Sequence, residues 1–168
     1  MDNLNQQFSL IYDQYIEKIY RFVYVKVNVE AIAQDITSRV FTKGWETYQK
    51  GTKIDNIGAF LYQIARNMVV DYYRQKGRTQ MVSPEDLPEL ADSRPGLFEK
   101  AILSADIAMV KNAIQDLSKD YQDVLILHYL EDMPTEDIAL IMDRPAGTVR
   151  VMIHRGLTAL KEKLVQES

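Results

Sequence analysis

Apolar residues recur along this chain three and four positions apart, the spacing of helices. In "FSLIYDQYIEKIYRFVYVKV", Leu10, Ile11, Tyr15, Ile16, Ile19, Tyr20 and Val23 fall at helical intervals and predict a first helix. Asn28 then offers an N-cap to a second helix carrying Ile32, Ile36, Val40, Phe41 and Trp45. "QKGTKIDN", with Gly51 in a polar cluster, reads as a loop. Asp55 or Asn56 caps a third helix running to about Lys76, with a predicted buried stripe of Leu61, Ile64, Ala65, Met68 and Tyr72.

The pattern breaks at Gly77. "GRTQMVSPEDLPELADSRPG" brings Pro84, Pro88 and Pro95 together with a run of acids, and reads as a flexible acidic linker over residues 79–104. Helical spacing resumes around Leu97 and stops near Ser118. "SKDYQDVLILHYLED" opens on Ser118 as a cap and carries Tyr121, Val124, Leu125, Leu127 and Leu130. Pro134 opens "PTEDIALIM", where a first-turn proline costs little. The turn "DRP" leads into a last helix with Pro145 in its first turn. The expected architecture is all-α: two small helical domains, residues 1–78 and 105–168, on a tether.

Charge adds an asymmetry to this picture. The net charge is −4, but residues 1–78 hold 11 Lys and Arg against 8 Asp and Glu, and residues 105–168 hold 7 against 11. Within that acidic second half, Arg144, Arg150, Arg155, Lys161 and Lys163 face a single acid, Glu162, between Arg144 and Lys163. An acidic total argues against non-specific nucleic-acid binding by the whole surface and leaves room for one basic face. The absence of cysteine excludes disulfides, thiol catalysis and thiolate metal sites. "MDNLNQQFSL" lacks the basic segment and apolar core of a secretory signal, and no apolar run approaches a membrane span, so a cytoplasmic location without membrane insertion is expected.

Projected at 100° per residue, the last helix separates into two arcs. One holds Val149, Met152, Ile153, Gly156, Leu157, Ala159, Leu160 and Leu164; the other holds Thr148, Arg150, Val151, His154, Arg155, Thr158, Lys161 and Glu162. Periodicity alone describes a terminal amphipathic helix with a solvated face, and the helix dipole also accounts for Lys161 and Lys163. Two features add to that. A short helix and tight turn precede it, the arrangement of a helix-turn-helix, and the apolar Val151 is stranded on the polar arc. A helix so presented fits the major groove, with Arg150, His154 and Arg155 toward bases or phosphates and Val151 toward a thymine methyl. The outer face expected for the third helix, Tyr62, Gln63, Arg66, Asn67, Val70, Tyr73 and Arg74, interleaves aromatic and basic groups in a way that suits single-stranded or distorted nucleic acid. Taken alone, it is also what a helix displays when its tyrosines pack on neighbours.

Together these segments resemble the extracytoplasmic-function class of bacterial RNA polymerase sigma factors. "DQYIEKIYRFVYVKV", "AQDITSRVFTKGWE" and "IGAFLYQIARNMVVDYYRQKGR" are similar to successive helices of that family's region 2, and "IQDLSKDYQDVLILHYLEDMPTEDIALIMDRPAGTVRVMIHRGLTALKEKL" to its region 4. The ordered pair "IARN" and P-x-G-T-V-R…H-R carries most of the specificity. The resemblance implies a subunit that directs core RNA polymerase to promoters and assists their opening. Its −10 contacts would be Lys53, Asn56, Tyr62, Arg66, Asn67, Tyr73 and Arg74, with a non-template base extruded into a pocket. Its −35 contacts would be Thr148, Arg150, Val151, His154, Arg155, Thr158 and Lys161. Asp35, Arg39, Phe41 and Trp45 would dock on the polymerase clamp, and the acidic linker would occupy a channel built for RNA. An anti-sigma factor is the further partner implied.

Some positions depart from the family pattern. Ser38 and Arg39 stand where Gln-Glu is common. Val151, Met152 and Leu157 stand where Ser, Arg and Arg are common, and Asp143 replaces a turn glycine. Asp tolerates left-handed geometry better than most residues. The competing reading is a stand-alone helix-turn-helix regulator that dimerises to reach two half-sites. An enzyme is poorly supported. His128 and His154 are the only histidines, His128 lies in an apolar helix as a structural residue, and no glycine-rich phosphate loop or metal-ligand spacing occurs. No cofactor or small-molecule substrate is expected.

Overall fold

The computed structural model describes residues 2–79 and 112–167, with the expected tether and the helix start near Leu97 lying outside them. These residues are helical and turning throughout and fall into two compact units.

In the first unit α1 (Asp2–Val27), α2 (Glu30–Gln49) and α3 (Ile57–Thr79) each pack on the other two. The second half of α1 is enclosed: Ile19, Phe22, Val23, Tyr24, Val25 and Val27 are all buried. Its first half is open. Leu10, expected on the packing face, is 69% exposed, whereas Phe8 is buried against Trp45 and Tyr48 at ring-centroid distances of 5.3 and 5.5 Å. Helical spacing puts Leu10 two positions from Phe8, hence about 200° around the helix, so the two cannot share a buried face.

The α1–α2 corner departs from expectation. Asn28 does not cap α2. It adopts the left-handed conformation (φ 62°) and donates its N–H back to the Tyr24 carbonyl at 2.7 Å, closing α1 instead. Asn visits that region more readily than most residues. Val29 then takes the N-cap position of α2 with extended backbone and no side-chain cap. At the start of α3, by contrast, the Asn56 Oδ1 accepts from the Ala59 N–H at 3.0 Å, as a capping residue should. Gly44 lets α2 and α3 approach closely, because a Cβ there would fall 2.9 Å from Leu61 Cδ2. Around that contact Ile36, Val40, Leu61, Ala65 and Val69 form the core.

Among the described residues of the second unit, 112–115 are helical. Ser118 then caps α4 (Lys119–Leu125), its Oγ accepting from the Tyr121 N–H at 3.4 Å. The expected single helix ends differently. Ile126–Leu130 forms a π turn, with the Glu131 N–H donating to the Ile126 carbonyl at 3.0 Å, five residues back. Val124, Leu125, Ile126 and Leu127 are buried in succession, so this segment is enclosed rather than amphipathic. His128 is partly buried with its ring edge-on to Tyr129 at 4.6 Å, and its Nδ1 has no hydrogen-bond partner.

Pro134 stands one position ahead of the first turn of α5 (Thr135–Met142), where its carbonyl accepts from Asp137 and Ile138. Pro145 does the same ahead of α6 (Ala146–Glu167), accepting from Val149 at 3.0 Å. Between them Asp143 takes the left-handed conformation (φ 56°, ψ 48°), as its chemistry permits, and Arg144 donates its N–H to Ala139 at 3.1 Å. α6 packs on both α4 and α5. Among the described residues no helix is long and apolar enough to cross a membrane.

Candidate nucleic-acid interface

The two arcs read from α6 are the two faces it presents. Val149, Met152, Gly156 and Leu160 are buried against α4 and α5. Thr148, Arg150, Val151, His154, Arg155, Thr158 and Lys161 are all exposed. Gly156 lies on the packed side, where a Cβ would just make contact, 3.4 Å from both Leu125 Cγ and Tyr121 Cβ. Val151 is 46% exposed, with no apolar neighbour needed to explain it on the fold side.

Ion pairs sort the cations of this unit. Arg144, in the turn, is tied to Asp120 of α4 at 3.0 Å and to Met152 Sδ at 3.6 Å, so it fastens the turn to the helix behind it. Arg150 Nη2 lies 3.7 Å from Glu136 Oε2 of α5. Among the described residues no carboxylate pairs with Arg155. The Thr158 hydroxyl donates to the His154 carbonyl at 3.1 Å, which occupies its proton and leaves its oxygen lone pairs outward. Glu136 and Asp120 meet their arginines only through the fold, 14 and 24 positions away, so no local spacing marks them.

In the first unit the expected set divides. Lys53, Asn67 and Arg74 are exposed and Arg66 is partly so. Asn67 and Arg74 lie seven residues apart on one side of α3, about 10 Å along its axis. Arg74 also reaches Asp71 at 3.4 Å, one turn back. Asn56 has its side-chain oxygen committed to the cap described above. Tyr62 does not share this face. It is 1% exposed and packs edge-on to Phe22 at 5.5 Å, inside the core. Tyr73 is partly buried, and its hydroxyl donates to the Lys26 carbonyl, joining α3 to the end of α1. Burial, then the neighbouring Tyr72, pushes the Tyr73 phenol up to about 12. Burial raises Tyr72 as well. Lys76 sits over both rings at 5.8 and 6.0 Å.

The residues expected to dock on a protein partner divide in the same way. Asp35 and Arg39 are exposed and paired at 3.6 Å across one turn of α2. Phe41 is buried, edge-on to Tyr12 at 5.0 Å, and belongs to the core rather than to the outer surface. Trp45 is partly exposed and lines an open groove with Asn5, Phe8, Ser9 and Tyr12. Among the described residues no group of three His, Cys, Asp or Glu is placed to hold a metal ion.

Comparison with known proteins assigns both units. Residues 11–79 match the family model described as Sigma-70 region 2, and residues 107–160 match Sigma-70, region 4. The chain is 25% identical over 166 residues to the ECF RNA polymerase sigma factor BldN of Streptomyces coelicolor, covering 96% of this chain and 61% of that protein. It is 27% identical over 165 residues to the ECF RNA polymerase sigma factor SigW of Bacillus subtilis, covering 94% and 88%. The chain thus spans less than two thirds of BldN and most of SigW. In fold it is similar to the sigma factor RpoE from Bartonella quintana, solved with the anti-sigma factor NepR, at TM-score 0.74 and 24% identity over 95% of this chain and 97% of that one. It is also similar to CnrH, solved with the cytosolic domain of CnrY, at TM-score 0.70 and 16% identity over 98% and 91%. With both family regions matched in order, each on its own helical unit, the chain belongs to the sigma-70 family of RNA polymerase sigma factors, in the extracytoplasmic-function class, and carries its regions 2 and 4.

Proposed function

We propose that this chain is a dissociable promoter-specificity subunit of core RNA polymerase. It is not an enzyme in its own right. Residues 1–78 engage the polymerase and the −10 element, residues 105–168 read the −35 element, and residues 79–104 join them. The observation that carries this reading is the sorting of α6: every candidate contact from Thr148 to Lys161 is exposed while the opposite arc is packed on α4 and α5.

On the first unit, Lys53, Arg66, Asn67 and Arg74 are the −10 contacts that the exposure pattern supports, with the Asn56 amide at the rim. Tyr62 and Tyr73 act behind them by fixing α3 on α1. Polymerase docking falls to Asp35, Arg39 and Trp45, with Phe41 as their support. A subunit of this kind works in the cytoplasm and is held in reserve by an anti-sigma factor, the kind of partner with which the B. quintana RpoE was solved.

The test is in vitro transcription with core polymerase on genomic fragments, start sites being mapped. Initiation at defined sites is expected only when both proteins are present. Arg66→Glu and Arg155→Glu are each expected to cut it by roughly tenfold or more, since a lost contact of this kind is worth about 1–3 kcal/mol and the reversed charge adds repulsion. Undiminished initiation by both variants overturns the reading.

A further inference from the structure

The approach of Glu136 to Arg150 joins the two helices of the helix-turn-helix on its solvent side. The side chains are 71% and 61% exposed, and their charged atoms are 3.7 Å apart. An exposed pair at this separation contributes little to stability, so the fold does not account for it. Its location does. Arg150 stands on the exposed arc of α6 beside Thr148, Val151 and His154, and Glu136 approaches it from the first turn of α5.

A guanidinium on a groove-facing helix has two kinds of target. It attracts phosphates along the groove edge whatever the sequence, and it donates in pairs to the edge of a guanine. A carboxylate beside it weakens the first by cancelling much of its charge at distances beyond the pair. It favours the second by drawing one end of the fork electrostatically toward α5, which biases where the other nitrogens point. Arg155, one turn on, has no such companion among the described residues. Arg144, in the turn ahead of α6, is occupied by Asp120 and Met152.

We propose that Glu136 is a positioning residue for promoter selectivity: it orients Arg150 toward a base edge and suppresses its sequence-independent attraction to phosphate, leaving backbone attraction chiefly to Arg155. The proposal rests on the reading of α6 as the −35 helix.

The experiment uses the full chain with core polymerase and a set of promoters carrying every single substitution in the −35 element. Transcription is scored for the wild type, Glu136→Gln and Arg150→Ala. Holoenzyme binding to a random-sequence duplex is measured in parallel over a range of salt. Glu136→Gln is expected to lower discrimination by roughly fivefold at the one or two base pairs where Arg150→Ala flattens it. Binding to random duplex is expected to tighten, with a salt dependence steeper by about one unit. A Glu136→Gln profile equal to wild type at every base pair overturns the proposal while leaving the sigma-factor reading intact. So does a change confined to positions that Arg150→Ala does not affect. A wild type that initiates nowhere overturns that reading and this proposal with it. Thermal unfolding of the variant, expected to match wild type, separates lost selectivity from lost structure.

Discussion

Helices α3 and α6 are nearly equal in length, 23 and 22 residues, and each packs against two neighbouring helices while keeping one arc outward. Their sequences invite the same treatment, a projection into a buried and an exposed side. For α6 the projection holds at each of the seven candidate contacts. For α3 it fails at Tyr62, which is in the core, and half fails at Tyr73, whose hydroxyl is bound to the Lys26 carbonyl. The difference lies in residue type rather than in geometry. The polar arc of α6 is made of Arg, His, Thr and Lys with one Val, whose preference for water is decisive or whose exposure is conspicuous. The corresponding arc of α3 contains tyrosines, which bring a large apolar body and a polar tip and are at home on either side. A helix face rich in tyrosine is therefore ambiguous in a way that a face of arginine and threonine is not.

The comparison breaks most visibly at Tyr62 and Arg155. Tyr62→Ala should destabilise the first unit by about 3–5 kcal/mol, the range for emptying a large aromatic site, as measured by urea unfolding. Arg155→Ala should leave stability within about 0.5 kcal/mol of wild type and act only on transcription. A mild Tyr62→Ala with a severe loss of transcription would reverse the assignment and make Tyr62 one of the proposed −10 contacts.

Tyr73→Phe sharpens the intermediate case. Loss of the bond to Lys26 should cost about 0.5–1.5 kcal/mol near neutral pH, read from the same unfolding curves. The pH dependence has a defined sign. The folded phenol titrates at about 12 against an ordinary value of 10.0, so the folded state holds the proton more tightly. The associated stabilisation is complete below pH 10 and is lost as pH rises through 10 to 12. The wild type should weaken across that window more steeply than Tyr73→Phe. Smallest of all, Asp143→Gly should stabilise the second unit by about 0.5 kcal/mol, because the left-handed turn no longer carries a Cβ, less the added freedom of glycine in the unfolded chain. A shift of a few degrees in its melting midpoint is the measurement.

Much of this molecule was legible in its sequence, for reasons that can be stated residue by residue. The helical periodicity, the Ser118 cap, the Asn56 cap and the tolerance of Asp143 for its turn are local effects, set by side chains within four positions. What was not legible depends on partners far along the chain. Asn28 has the chemistry of an N-cap and of a left-handed closing residue, and only the turn of α2 away from α1 selects the second. The π turn at Ile126–Leu130 lies in a run of apolar residues whose helical type no spacing distinguishes. Leu10 satisfies helical spacing, yet Phe8 claims the side where α2 lies. The carboxylates at Asp120 and Glu136 become partners of Arg144 and Arg150 only once α4, α5 and α6 are assembled.

Gly156 sits on the concealed side of α6, and its missing side chain sets how deeply that helix beds into α4. It acts as a shim of zero thickness. A methyl group just fits in the gap, and anything bulkier must lift or tilt the helix, moving Arg150, His154 and Arg155 as one rigid comb. If α6 is the −35 helix proposed above, promoter preference can be retuned without touching any tooth of that comb, from a position on its concealed side.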